Sequence, residues 1–162
     1  MALDLPELER VAGVLEEAHV LLESDHKRLE QHYQGSSMAD TAAGSPSQTL
    51  RGVRDLSEEM AKSRKQVALA AGYSVLGFDQ RADHALRMAR RRPVSFPSGA
   101  DRMARPLGEA TVRAMELIRD LGFFDAEVSL TIDVALAAPQ ATYPPADWDA
   151  WTRERMQRGE RF

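Results

Sequence analysis

The sequence contains no cysteine, which excludes disulfides, thiolate metal sites and cysteine nucleophiles. Aromatic residues make up only 6% of the 162 residues, so aliphatic side chains and alanine must supply most of the core. No apolar run approaches the roughly 18 residues needed to cross a bilayer. The acidic start of the chain lacks the layout of a signal peptide. These absences predict a cytoplasmic protein, and the alanine- and arginine-rich composition suggests a bacterial source.

The stretch from Leu5 to Tyr33 predicts one long helix with a narrow apolar stripe. Leucine recurs there every seven residues, at Leu8, Leu15, Leu22 and Leu29. This heptad pattern is typical of helices that pack as coiled coils. The stripe must therefore pack on another helix, which belongs either to this chain or to a second copy. We expect these leucines to form that interface.

A second helix of similar length is predicted from Pro46 to Ala71, with Gly72 as its stop. Its own stripe has a matching period and consists of Val53, Leu56, Met60 and Val67. Two such helices joined by the small, polar connector 34–45 predict an antiparallel hairpin. Three polar residues occupy positions in the seam between the helices, where they are expected to fix the register: Asp25, His32 and Ser63.

Shorter helices are expected after the hairpin. The third follows a cap at Asp79 and ends near Arg92. The fourth opens at Ser98, restarts near Pro106 and stops at Gly122. A fifth is predicted over 126–138, where alternating apolar residues also fit a strand. We favour a helix because no second strand is evident to pair with it.

The sequence thus predicts an all-α fold, a long antiparallel helical hairpin with further short helices packed as a bundle. Three regions are expected: the hairpin at 1–72, the shorter helices at 73–140, and an aromatic tail helix at 141–162. The tail carries Trp148 and Trp151, which share one helix face and could dock on the core or anchor a partner.

Four residues of the first helix form a possible metal-binding ridge: Glu16, His19, Glu23 and His26. Glutamate and histidine three residues apart share a helix face, and both side chains bind zinc or iron. The ridge resembles the Glu-x-x-His unit of ferritin-like di-iron bundles, which implies iron or zinc as cofactor. Those proteins place the unit on two different helices, whereas both pairs here lie on one. The alternative is a solvated flank of the stripe.

A basic cluster follows the hairpin and consists of Arg87, Arg90, Arg91, Arg92, Arg102 and Arg105. Guanidinium groups suit phosphates geometrically, so a nucleic-acid partner is one hypothesis. Alternatively, the arginines favour the end of their helix and face the acidic first helix.

The chain shows no glycine-rich phosphate loop, nucleophile elbow or Ser/His/Asp layout. We therefore predict a non-enzymatic helical interaction or assembly protein without a cofactor, self-associating or acting as an adaptor in a larger complex. A ferritin-like metalloprotein and a nucleic-acid-binding helical subunit remain the alternatives.

Overall fold

The computed structural model describes residues 4–33, 46–94 and 108–137 together with residue 157, except for the side chains of 32–33 and 46–49. Five helices and no strand occur in these ranges. The helices are α1 Leu5–Tyr33, α2 Pro46–Val75, α3 Asp79–Arg90, α4 Glu109–Leu121 and α5 Ala126–Ala137. The all-α prediction is confirmed. The predicted connector 34–45, the opening of the fourth helix at Ser98 and the tail tryptophans lie outside the described residues.

Helix α1 begins at the predicted residue, and Asp4 caps it. The Asp4 carboxylate accepts a hydrogen bond from the backbone N–H of Glu7, one of the donors that a helix start leaves unsatisfied. The Glu7 side chain turns to Arg10 instead of completing a reciprocal capping box. The hydrogen bond from Arg10 lowers the pKa of Glu7.

The predicted leucine stripe of α1 forms the centre of the core. Leu15 and Leu22 are fully buried, and Leu8 and Leu29 are almost so. The predicted stripe of α2 is buried with them: Val53, Leu56, Met60 and Val67. One chain therefore covers both stripes by itself. Packing is favourable because it removes a continuous apolar surface from water.

Helices α1 and α2 pack side by side in opposite directions. Glu16 of α1 pairs with Arg64, whereas His19, further along α1, contacts Ser57, which lies earlier in α2. Helix α3 packs on α2 and α4 packs on α1, so the two long helices lie in the middle. Helix α5 follows α4, and the backbone N–H of Asp125 donates to the Arg90 carbonyl at the end of α3. This bond joins the end of α3 to the turn that precedes α5.

Asp25, one of the three polar seam residues, caps helix α4 from a different helix. Its Oδ2 lies 2.6 Å from the backbone nitrogen of Thr111, in the first turn of α4. The residue before α4 is Gly108, which has no side chain with which to cap it. A buried carboxylate therefore satisfies a helix-start donor that the local sequence cannot.

Ser63, a second polar seam residue, plays the matching role at the end of α3. Its hydroxyl donates to the Ala89 carbonyl at 2.7 Å, one of the carbonyls that a helix end leaves without an intrahelical partner. Close by, Arg92 Nε lies 3.4 Å from Glu59 Oε2. Helix α2 thus holds the end of α3 by a hydrogen bond and an ion pair. The side chain of His32, the third seam residue, lies outside the described set.

The predicted stop of α2 at Gly72 is wrong, because the helix continues to Val75. The stop is Gly77, whose φ of +81° is left-handed. The N–H of Phe78 donates to the Tyr73 carbonyl and that of Gly77 to the Ser74 carbonyl, which is the Schellman arrangement. Gly72 stays helical because one glycine costs a helix only about 1 kcal/mol.

Two further boundaries differ slightly from the prediction. Asp79 is the first residue of α3 and not its cap, since Phe78 precedes the helix without a side-chain cap. The helix ends at Arg90, two residues before the predicted Arg92. The predicted stop of α4 is confirmed, because Gly122 has a left-handed φ of +64°.

The fifth segment is helical, as predicted, despite its strand-like alternation. Val128, Ile132 and Ala135 are buried and follow the spacing of one helix face. Leu130 and Val134, which share the same alternation, remain exposed. The alternating apolar residues therefore lie on two different faces of the helix, whereas in a strand they would all lie on one face.

We expect Leu22→Ala to destabilise the protein by about 2–5 kcal/mol, because it removes a fully buried side chain and leaves a cavity. Val20→Ala is the matched control, since Val20 is 54% exposed on the same helix, and it should change stability by no more than about 0.5 kcal/mol. Urea denaturation measures both. Equal effects would contradict the assignment of the seam.

We expect Asp25→Ala to destabilise the protein by about 1–3 kcal/mol, because the buried N–H of Thr111 loses its acceptor. Amide hydrogen exchange at the start of α4 should accelerate with it. Asp133→Ala, at an exposed site on α5, is the control for removing one carboxylate. Unchanged exchange at Thr111 would show that Asp25 does not cap α4.

Candidate functional site

A small cleft lies between α1 and α2 on the flank of the seam. It has a volume of about 260 Å³ and is lined by His19, Glu23, His26, Lys27, Arg54, Ser57 and Glu58. We call it the histidine cleft. Three of the four predicted metal ligands line it, while Glu16 turns away and pairs with Arg64 of α2 through a 2.7 Å contact.

His19 connects the two long helices inside this cleft. Its Nδ1 lies 2.9 Å from the Ser57 hydroxyl and 3.0 Å from the Ser57 carbonyl oxygen. Its Nε2 lies 3.2 Å from Glu23 Oε1 on the same helix. Sequence reasoning did not identify Ser57, because a serine beside the seam gives no signal until α2 is docked on α1.

Ser57, His19 and Glu23 form a hydroxyl–imidazole–carboxylate chain, the order of groups that activates serine nucleophiles. Two observations argue against that chemistry. Ser57 is only 4% exposed, so a substrate cannot readily approach its hydroxyl. It also lies within α2, where the backbone N–H groups are used by the helix and cannot form an oxyanion hole. These contacts therefore have a structural role: they hold α1 against α2. We call His19 a tie between the two helices in this sense.

The predicted metal ridge is only partly assembled. His26 contacts Glu30 at 3.6 Å on its own helix. Across the ranges that the structure describes, no three histidine or carboxylate side chains converge as a metal site requires. Lys27 and Arg54 also line the cleft and balance the charges of Glu23 and Glu58. Iron or zinc binding stays a prediction.

The arginine cluster is divided by the fold. Arg87, Arg90 and Arg91 remain at the surface and line a second cleft. Arg92 turns inward to Glu59, and both side chains are about nine-tenths buried. The remaining two members, Arg102 and Arg105, lie outside the described residues. Three of the six predicted arginines thus share one surface. We call the second cleft, which these three line, the arginine cleft.

The predicted interface residues fall into two groups. The four leucines of α1 are buried within the chain, so a partner could reach them only if the bundle opened. Trp148 and Trp151 lie beyond the described ranges. Any surface that the described part of the chain offers to a partner must therefore be a different one.

Such a surface occurs at the end of α2, in a segment without a charged residue. Residues 67–78 read VALAAGYSVLGF, in a protein in which 28% of residues are charged. Val75 and Leu76 are each about 70% exposed. We call this stretch the apolar end. Within the described ranges, no helix is both long and apolar enough to cross a membrane.

The apolar end is held in a defined conformation. Beyond the hydrogen bonds around Gly77, the Tyr73 and Phe78 rings meet edge to face at 6.5 Å. The Arg81 guanidinium lies 5.3 Å from the centre of the Phe78 ring, within the range of a cation–π contact. Sequence reasoning missed this surface because it ended the second helix at Gly72, whereas the helix continues to Val75.

Comparison of the chain with protein-family models, curated proteins and solved structures found no match. The function must therefore be inferred from the surfaces of the chain itself.

We expect His19→Ala to destabilise the protein by about 1–3 kcal/mol, because it removes the contacts with buried Ser57 that join α1 to α2. His26→Ala is the control within the same cleft. Its contact with Glu30 lies within one helix, so its loss should lower the free energy of unfolding by no more than about 0.5 kcal/mol. Urea denaturation of both variants compares them, and equal losses would contradict the role of His19 as a tie.

Proposed function

We propose that this protein is a non-enzymatic helical assembly protein that pairs with its own copies through the apolar end of α2. The observation that carries the proposal is the absence of charge across residues 67–78. A helix end in water usually carries charged side chains, whereas the exposed positions here are apolar or glycine. Exposed apolar patches of this kind mark interaction surfaces.

The energetics favour association at this surface. Burial of apolar area contributes about 25 cal/mol for each Å² removed from water. The surface is also ordered before binding, since the Schellman arrangement and the Tyr73–Phe78 contact fix the turn. Little conformational entropy is then lost on association, which leaves more of the burial energy as affinity.

A second copy is the partner that fits this surface best. In a two-fold dimer the same patch contacts itself, so it must not repel itself. The apolar end satisfies this condition because it has no charge, although the whole chain carries a formal charge of −4. Small residues at Ala68 and Gly72 lie beside Leu69 and let two helices approach closely, as small residues do at other helix contacts.

This proposal places the assembly surface away from the leucine stripe. The stripe supplies the fold of each copy, and the apolar end supplies the contact between copies. A polar substitution in the stripe would therefore destabilise the fold, whereas one at an exposed position of the apolar end, such as Leu76, would leave each copy folded.

We expect light scattering after gel filtration to give a mass above that of one chain, increasing with concentration. Leu76→Gln should weaken association by at least about tenfold, because a polar side chain replaces an apolar one in the contact (about 1.4 kcal/mol). Leu130→Gln is the matched control, since Leu130 is 64% exposed on α5 and outside the apolar end.

Circular dichroism should show that both variants remain folded. A wild-type protein that stays monomeric at high concentration would overturn self-association. An oligomer that loses mass equally in both variants would overturn the assignment to the apolar end. Metal analysis of the same peak tests the ferritin-like alternative, and stoichiometric iron or zinc lost on His19→Ala would favour it.

A further inference from the structure

The arginine cleft lies where the end of α3 meets the turn between α4 and α5. It has a volume of about 430 Å³ and is lined by His84, Arg87, Met88, Arg90, Arg91 and Asp125. Among the described residues of this lining, three guanidinium groups accompany one carboxylate, a formal excess of two positive charges in a chain whose net charge is −4. The local charge of the cleft is thus opposite to that of the protein.

The backbone that carries these side chains is fixed from two sides. Ser63 of α2 bonds to the Ala89 carbonyl, and the N–H of Asp125 bonds to the Arg90 carbonyl. On its other face, α3 buries three alanines, Ala82, Ala85 and Ala89. The cleft therefore sits on a rigid support, which favours binding because little order must be created.

The cationic groups of the cleft are weakly engaged by the protein itself. Arg91 Nε lies 3.7 Å from Asp125 Oδ2 and its side chain is 85% exposed, so the pair is loose and screened. The Arg90 guanidinium lies over the Phe123 ring. In the described part of the chain, the side chains of His84 and Arg87 make no ion pair or hydrogen bond.

Arg87 lies on α3 one turn after His84, and Arg91, the extended residue that follows the helix, lines the same cleft. Guanidinium groups donate planar pairs of hydrogen bonds that match phosphate oxygens. The cleft is also larger than a phosphate needs and falls in the size range of small-molecule sites. Met88 gives it an apolar wall on which an organic group can rest.

We propose that the arginine cleft binds a small phosphate ester, with Arg87 and Arg91 holding the phosphate and Met88 contacting the organic part. The Asp125 carboxylate opposes this binding, since it is the one negative group among the described residues that line the cleft. The site is separate from the apolar end, so binding of the ester and self-association can be tested independently.

The test is a titration of the ¹⁵N-labelled full chain followed by NMR, with three probes. Adenosine 5′-monophosphate represents a phosphate ester, inorganic phosphate represents the anion alone, and a single-stranded oligonucleotide represents nucleic acid. We expect saturable shifts of the amides of residues 84–91 and 125 with the monophosphate, and weaker binding of inorganic phosphate.

Three variants make the test specific. Arg87→Gln should weaken binding by about tenfold, because one charge-assisted contact is lost. Asp125→Asn should strengthen it by a few-fold, because the opposing charge is removed while the backbone N–H that bonds to Arg90 remains. Arg113→Gln, at an exposed site on α4 that lines neither the cleft nor the apolar end, should leave binding unchanged.

Opposite effects of Arg87→Gln and Asp125→Asn, with no effect of Arg113→Gln, would establish the site. Equal weakening by both arginine variants would overturn it, since binding would then follow the overall charge. Failure of the monophosphate to saturate would overturn it as well. So would binding of the oligonucleotide that the monophosphate cannot displace, which would indicate an extended nucleic-acid surface.

Discussion

The packing of α1 on α2 is the interaction on which the other helices depend. The apolar residues between the two helices form the centre of the core, and two polar residues there hydrogen-bond to the ends of neighbouring helices. Asp25 caps the start of α4, and Ser63 satisfies a carbonyl at the end of α3. A buried polar group is costly unless it is hydrogen-bonded. The seam tolerates these two because each hydrogen-bonds a backbone group at a helix end, the Thr111 N–H and the Ala89 carbonyl.

This arrangement also determines which surfaces are available for function. The leucine stripe is covered within one chain, so it stabilises the fold and does not reach a partner. Two other surfaces are the ones we consider functional. The apolar end reaches the start of α3 at Phe78, and the arginine cleft is lined by residues of the second half of α3 and by Asp125. The two surfaces share no residue. One is free of charge and the other has an excess of positive charge.

The histidine cleft illustrates how a suggestive set of residues can have a structural role. His19 and Glu23 have the side chains of a metal site, and with Ser57 they have those of a nucleophile relay. Both interpretations need groups that the cleft does not supply in the described residues: a third converging ligand for the metal, and an accessible hydroxyl with oxyanion donors for the relay. What the contacts do accomplish is to fix α2 against α1.

The sequence by itself determined the helical architecture, because heptad spacing and capping residues act over one or two turns. The bounds of α1, the stripes of both long helices and the stop at Gly122 follow from such local rules. The choice between Gly72 and Gly77 did not, since a glycine ends a helix only where the chain turns left-handed, and both residues carry the same local signal.

Only the tertiary structure decided which polar residues make contacts between helices and which surfaces remain exposed. Asp25 meets Thr111 across 86 positions of sequence, and Arg92 turns away from its neighbours to Glu59. No spacing rule predicts such contacts, because they depend on how whole helices dock. The same holds for the apolar end: its residues are readable in the sequence, but their exposure follows only from which face of α2 the rest of the bundle covers.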